Sequence, residues 1–220
     1  MNRSAEIAAR VAEVRGRIAA AARRAGRPEG AVTLVAVTKT RPVEDLLRAF
    51  EAGIRHFGEN RVQEAEAKFP SLPAGSTRHL IGPVQSNKAA RAAIVADVIQ
   101  TVDRPDVASR LDRAAAAKGK TLAVYLEVHL GSEPTKSGVE PERLAELAAA
   151  VRALPALALE GVMAIPPHGA ARPYFRQLRR LAEENGLYGV SMGMSDDFEE
   201  AVEEGATIVR IGSALFGLRS

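Results

Sequence analysis

The stretch LVAVTKTRPVEDLLRAFEAG, residues 34–53, contains a complete strand-to-helix unit. It opens with a short apolar run that is typical of a buried strand. Pro42 then stands in the first turn of a helical pattern, and Gly53 ends that pattern. Lys39 follows the strand directly, where an amine loses water unless a partner uses its charge. The stretch therefore predicts one strand, one helix and an unusual lysine between them.

Similar units repeat along the rest of the chain. The predicted strands cover residues 32–38, 54–57, 79–81, 98–102, 122–130, 157–164, 188–192 and 207–211. Strands that alternate with helices form parallel βαβ units. Eight of them predict an α/β fold, a closed (β/α)8 TIM barrel, whose size begins at about 200 residues. An open doubly wound sheet is the competing fold, but no GxGxxG follows the first strand.

The N-terminal segment predicts an amphipathic helix, because Ile7, Val11, Val14 and Ile18 recur at helical spacing. A helix is predicted after every strand except the last. We therefore expect the N-terminal helix to pack in place of the eighth helix, with residues 1–220 forming a single domain.

Composition excludes several classes of protein. The chain has no cysteine, which excludes disulfides and thiolate chemistry and agrees with a cytoplasmic location. No apolar run is long enough for a membrane span. A net charge of +3 and 4% aromatic residues argue against nucleic-acid binding. The histidines show no metal-binding spacing, so no metal is expected. They are His56, His79, His129 and His168.

Among the lysines, Lys39 alone closes an apolar strand. It could extend its amine to the barrel rim, or it could form a Schiff base with a carbonyl, because a dry site lowers the pKa of an amine. Lys68, Lys118 and Lys120 are interpreted as solvated, and Lys136 as a loop residue. Glu59, Glu64 and Glu66 are interpreted as a solvated helix face, and His79 as a rim histidine.

The loops after the last two strands favour an anion. Ser191, Gly212 and Ser213 are small residues where a TIM barrel binds phosphate, and Gly212 lets the backbone approach a ligand. Ser195 could belong to the same site or could simply cap a helix. Either loop alone is weak evidence, and the two together predict a phosphate site.

Arg210 lies inside the eighth strand and needs an acceptor, either a structural carboxylate or a ligand atom such as a ring nitrogen. Pyridoxal 5′-phosphate (PLP) offers a carbonyl, a phosphate and a ring nitrogen. A sugar phosphate offers two of the three, so a class I aldolase is a competing interpretation.

Several longer motifs carry a resemblance to a known family. They are AVTKTRP, FGENRVQEAEAKF, HLIGPVQSNK, TKSGV, LEGVMAIPP, SMGMSDDFEEAVEEGAT and VRIGSALFG. In these motifs the chain resembles the small, alanine-racemase-like PLP homeostasis proteins over nearly its whole length. The resemblance implies a monomeric barrel that holds PLP as an internal aldimine on Lys39. The other implied contacts are Ser191, Gly212 and Ser213 for the phosphate, Arg210 for the pyridine nitrogen, and Asn60 and Met163 for the ring.

The sequence departs from the family pattern at the fifth strand, where Glu127 and His129 replace the usual Gln and Asn. The loop before Arg172 is also short. These differences concern contacts at the barrel mouth.

The expected role is to hold and deliver PLP, with PLP-dependent apoenzymes as candidate recipients. Arginine only donates hydrogen bonds, so at the ring nitrogen it would leave PLP a poor electron sink. Racemases of this barrel type also use a second domain that supplies a tyrosine base. None of Tyr125, Tyr174 and Tyr188 is an obvious substitute, so no enzyme activity is predicted. The alternative is a PLP-dependent amino-acid racemase.

Overall fold

The computed structural model describes residues 2–131, 137–167, 169 and 171–217. Eight strands in this part of the chain form a closed barrel in the order β1 to β8, and β8 pairs in parallel with β1. The strands are Thr33–Val37 (β1), His56–Glu59 (β2), Thr77–Leu80 (β3), Val98–Val102 (β4), Leu122–Glu127 (β5), Leu157–Met163 (β6), Gly189–Ser191 (β7) and Ile208–Ile211 (β8). The predicted (β/α)8 barrel is confirmed.

Helices follow the strands on the outside of the barrel. Those described are Arg3–Arg24 (α1), Val43–Glu51 (α2), Val62–Lys68 (α3), Ala89–Val95 (α4), Pro105–Ala116 (α5), Leu144–Arg152 (α6), Arg172–Glu184 (α7), Phe198–Glu203 (α8) and Ser213–Phe216 (α9). Pro42 was predicted in the first turn of α2 and is its N-cap, one residue before the helix begins. Gly53 has a φ of 92°, a conformation that glycine adopts without strain.

The N-terminal helix α1 packs against α2, α8 and α9, which is the predicted place of an eighth helix. Arg3 fixes its start, because Nη2 donates to Asp45 Oδ2 at 2.6 Å and to the Phe216 oxygen at 3.0 Å. Arg27, just beyond its end, donates to the main-chain oxygens of Val202 and Ala206. The helix is therefore held at both ends by charged hydrogen bonds to the barrel.

Most predicted strands differ from the structure by one or two residues at their ends, and two larger differences stand out. The fifth strand was expected to reach residue 130 but ends at Glu127, because His129 N donates to Val139 O and the chain leaves the sheet there. The last strand was expected to have no helix after it, yet the one-turn α9 follows it and ends at Gly217. A helix of four residues is too short to show helical periodicity in the sequence.

Successive residues of the strands face two different regions, the outer core beneath the helices and the interior of the barrel. Ala36, Ile99 and Val209 belong to the large cluster that the helices complete. Their strand neighbours Val35, Val98 and Ile208 form a second small cluster. Because successive side chains point to opposite faces, this second cluster lies inside the barrel.

No helix within the described ranges is long and apolar enough to span a bilayer. Lys136 and His168, which figured in the sequence predictions, lie outside the described residues.

Candidate functional site

A cavity of about 220 Å³ lies at the carboxyl ends of β1 and β8, where TIM barrels carry their sites. The residues that line it are Val37, Lys39, Thr40, Arg41, Met194, Ser195, Asp196, Arg210, Gly212, Ser213 and Gly217. Four predicted site residues, Lys39, Arg210, Gly212 and Ser213, are thus brought together from two strand ends.

Lys39 lies two residues beyond β1, in a backbone segment that is fixed on both sides. Before it, Thr38 is fully buried and its hydroxyl donates to Glu59 Oε1 at 2.7 Å. After it, Thr40 has a φ of 66°, the left-handed region that a β-branched residue rarely adopts. The Thr40 amide donates to Glu64 Oε2 at 3.1 Å. These contacts hold the lysine backbone at the cavity wall.

Lys68 is not solvated, so that prediction is wrong. Its side chain is 12% exposed and its Nζ donates to Thr38 O, Glu59 Oε1 and Glu64 Oε2 at 3.0, 2.9 and 3.0 Å. We call Glu59, Glu64 and Lys68 the lysine-support cluster. The cluster was missed because it joins the end of β2 to α3, and only the closed fold brings its members to Thr38.

Glu59 is likewise not on a solvated helix face, because it ends β2 and is fully buried. Burial raises the pKa of its carboxyl, while the hydrogen bonds from Lys68 and Thr38 oppose the rise. One of its oxygens, Oε2, has no hydrogen-bond partner in the part of the chain that the structure describes. A negative charge on the buried Glu59 carboxylate therefore depends on the nearby Lys68 ammonium.

Arg210 projects into the barrel from β8 and is 3% exposed. Its Nη1 donates to Ser191 Oγ at 2.6 Å and its Nη2 to Ala164 O at 3.0 Å. No carboxylate of the described residues forms an ion pair with it, so the alternative of a structural salt bridge is wrong. Burial lowers its pKa to about 10, although Glu127 and Asp197 act in the opposite direction. Its Nε has no hydrogen bond within the described residues and remains available to an acceptor in the cavity.

The serines of the predicted phosphate site divide between two positions. Ser195 does not cap α8, which is preceded by Asp197. Instead its Oγ lies 3.3 Å from both Gly212 N and Ala214 N and joins the two loops. Ser191 is fully buried below the cavity, where its hydroxyl donates to Gln100 Oε1 at 2.7 Å and accepts from Arg210.

Asn60 and Met163 do not line the cavity that contains Lys39. Asn60 borders a separate outer depression with Arg61 and Gln85. Met163 is fully buried in the interior cluster beside Tyr125. Their predicted contacts with a ring remain predictions.

The two residues that depart from the family pattern are buried at the end of β5. Glu127 Oε1 accepts from Ser137 Oγ at 2.8 Å, and His129 Nδ1 lies 3.2 Å from Glu140 Oε1. Burial raises the pKa of the Glu127 carboxyl. Among the described residues, Glu127 Oε2 and His129 Nε2 have no hydrogen-bond partner.

His79 is not at the rim, because it lies inside the barrel on β3 and is 2% exposed. Its Nδ1 lies 3.0 Å from Gln100 Nε2. Sequence reasoning also missed Gln100. The available signal was a polar residue in the otherwise apolar strand pattern VIQTV, which suggests an inward position with a partner.

Comparison with known proteins assigns this arrangement to a family. The family profile described as "Alanine racemase, N-terminal domain" matches residues 10–220. A protein of Pseudomonas aeruginosa called "Pyridoxal phosphate homeostasis protein" is 46% identical, over 97% of this chain and 96% of its own length. This chain belongs to the pyridoxal phosphate homeostasis protein family. A relative of the same name from Escherichia coli K12 is 42% identical, over 97% of each chain.

The family likeness extends to solved structures. PipY of Synechococcus elongatus, solved with PLP bound, has a TM-score of 0.84 to this chain at 38% identity. The match covers 96% of this chain and 100% of PipY. The family resemblance seen in the sequence motifs is confirmed.

Proposed function

We propose that this protein holds PLP as an internal aldimine on Lys39 and keeps it available in the cytoplasm without catalysing a reaction. The observation that carries the proposal is the pairing of Lys39 with the buried Arg210 in one cavity. A buried guanidinium with an unused Nε calls for an acceptor, and the PLP ring nitrogen is one. Family membership and the PLP-bound structure of PipY support the same cofactor.

For the phosphate we propose Gly212 and Ser213, where the chain turns from β8 into α9. Gly212 has no side chain to cover its main-chain amide, and an added Cβ would lie at ordinary contact distance, 3.4 Å, from Val37, another residue of the cavity wall. The Gly212 and Ala214 amides are only weakly held by Ser195, at 3.3 Å, and can turn to an anion. Ser191 would then act through Arg210, and the resemblance alone supports Asn60 and Met163.

A holding role agrees with the chemistry of the cavity. Arg210 only donates and would leave the ring nitrogen unprotonated, which keeps PLP a poor electron sink. Beside Lys39, the described residues that line the cavity offer one carboxylate, Asp196, and no tyrosine, histidine or cysteine as a second acid or base. Tyr188 is 91% exposed, and Tyr125 lies inside the barrel. The protein would act as a monomer that passes PLP to apoenzymes.

The test is the absorbance spectrum of the purified protein with added PLP, before and after borohydride. Wild type should show an aldimine absorbance band, and Lys39→Ala should show none. After borohydride reduction the cofactor should be covalently attached to the peptide that contains Lys39. Lys118→Ala is the matched control, because Lys118 is exposed and remote from the cavity. A wild-type protein without the band would contradict the proposal.

A second measurement separates holding from racemisation. The PLP-loaded protein is incubated with single enantiomers of amino acids in deuterated water. Retention of hydrogen at Cα supports a holding role. Deuterium at Cα together with the opposite enantiomer would show a racemase instead.

A further inference from the structure

A continuous row of hydrogen bonds crosses the barrel interior and ends at Arg210. Arg210 Nη1 lies 2.6 Å from Ser191 Oγ, which lies 2.7 Å from Gln100 Oε1. Gln100 Nε2 lies 3.0 Å from His79 Nδ1, and His79 Nε2 lies 3.0 Å from His56 Nδ1. We call these five side chains the interior chain. They come from five different strands, so only the closed barrel assembles them.

Arginine fixes the direction of every hydrogen bond in the interior chain. Because a guanidinium only donates, Ser191 accepts from Arg210 and gives its own proton to Gln100. The Gln100 amide then donates to His79 Nδ1, and His79 donates from Nε2 to His56. Burial lowers the pKa of His79 to about 3, so its ring is neutral and has one donor and one acceptor, as the chain requires.

The middle of the interior chain has no alternative partners within the described residues. Ser191 and Gln100 are fully buried and His79 is 2% exposed. A buried polar group that loses its partner costs about 1–3 kcal/mol. Each member is therefore held in one orientation by the next, and neighbouring bonds in such a row strengthen one another.

The far end of the interior chain opens into a second cavity. This cavity, of about 330 Å³, lies at the amino-terminal mouth of the barrel and is lined by His56, His79, Tyr125 and Thr207 among others. His56 Nε2 carries the last proton of the row and makes no hydrogen bond within the described residues. The row thus runs from one mouth of the barrel to the guanidinium at the other.

We propose that Gln100 and His79 are positioning residues that orient Arg210 toward the PLP ring nitrogen. This inference rests on the proposed PLP-holding function. If a substitution removes the side-chain oxygen of Gln100, the Ser191 hydroxyl loses its acceptor and turns. The Arg210 guanidinium is then no longer held at Nη1. The bound cofactor then loses a fixed donor at its ring, although neither Gln100 nor His79 lines the Lys39 cavity.

The experiment compares Gln100→Leu, His79→Leu and His79→Gln with wild type. PLP affinity is measured by absorbance titration, the position of the aldimine band by spectroscopy, and the stability of the apoprotein by urea unfolding. The leucine variants should weaken PLP binding about tenfold or more and move the band. In His79→Gln the amide can accept from Gln100 and donate to His56, so affinity and band should return to within about threefold of wild type.

A stability control separates positioning from simple destabilisation. Val124→Ala removes methyl groups from the outer core and should lower stability comparably, while PLP affinity and the band stay at wild-type values. Leucine variants that bind PLP as wild type does, with an unmoved band, would overturn the inference. If the leucine variants do not fold, PLP affinity and band position are measured for Ser191→Ala, and wild-type values for both would likewise overturn the inference. If wild type itself forms no band, the proposed function fails rather than this inference.

Discussion

The ammonium group of Lys68 lies 3.0 Å from the main-chain oxygen of Thr38, the residue before Lys39. The same ammonium neutralises the buried Glu59 at 2.9 Å. A lysine that the sequence suggested was solvated thus supports the backbone of the lysine in the cavity.

Replacing Lys68 should both destabilise the protein and disturb Lys39. Lys68→Met leaves Glu59 buried without a cation, which should cost about 3–5 kcal/mol in the free energy of unfolding measured in urea. Adding Glu59→Gln to Lys68→Met should recover part of the stability, because the buried charge is removed. PLP binding should stay weak in the double variant, because the Thr38 oxygen still lacks its donor.

Lys118→Met is the control for this series, because Lys118 is exposed and should change stability by less than about 0.5 kcal/mol. If Lys68→Met were as stable as the control, the lysine-support cluster would have no energetic role.

Thr40→Gly should raise stability. The left-handed conformation costs a non-glycine residue about 1–2 kcal/mol, which glycine would relieve. The greater freedom of glycine in the unfolded chain opposes this gain by about 0.4–1 kcal/mol. A net increase of about 0.5–1 kcal/mol in the free energy of unfolding is therefore expected. Thr121→Gly, at an exposed position with ordinary φ, should lower stability instead. A loss at both positions would mean that Thr40 is not strained.

Acidification should weaken the protein partly through His79. Its pKa is about 3 in the folded protein against an ordinary 6.5, so between these values only the unfolded chain binds the proton. The contribution to stability is present above pH 6.5 and is lost as pH falls toward 3. Burial lowers the pKa of the neighbouring His56 as well, so it acts in the same direction.

The measurement is urea unfolding of wild type and His79→Gln at about pH 7.5 and about pH 5.5. The variant should lose less stability between the two pH values than wild type does. Equal losses in the two proteins would show that His79 is able to take up a proton while folded.

The N-terminal helix should loosen when Arg3 is replaced. Arg3→Met removes the donors to the buried Asp45 carboxylate and to the Phe216 oxygen. Since Arg48 still contacts Asp45 and Arg3 is one-third exposed, the expected loss is about 1–2 kcal/mol. Amide exchange should quicken in α1 first. Arg143→Met, at an exposed arginine, should change neither stability nor exchange.

The sequence predicted the barrel because each βα unit carries its own periodicity and its own stop signals. Pro42 and Gly53 bound one helix, and the apolar run before Lys39 marks one strand. Lys39 and Arg210 stood out for the same local reason, since each is a charge beside or within an apolar strand. Boundaries failed where long-range pairing decides them, as at the end of β5, or where an element is as short as α9.

The sequence by itself determined the order of the elements, the family and the charged residues that need a partner. Only the tertiary structure decided which partners they have. Lys68 reaches Thr38, and Gln100 reaches Ser191, because the closure of eight strands brings distant positions to one level. Such contacts leave no periodic trace in the sequence, since a single hydrogen bond fixes neither spacing nor residue type along the chain.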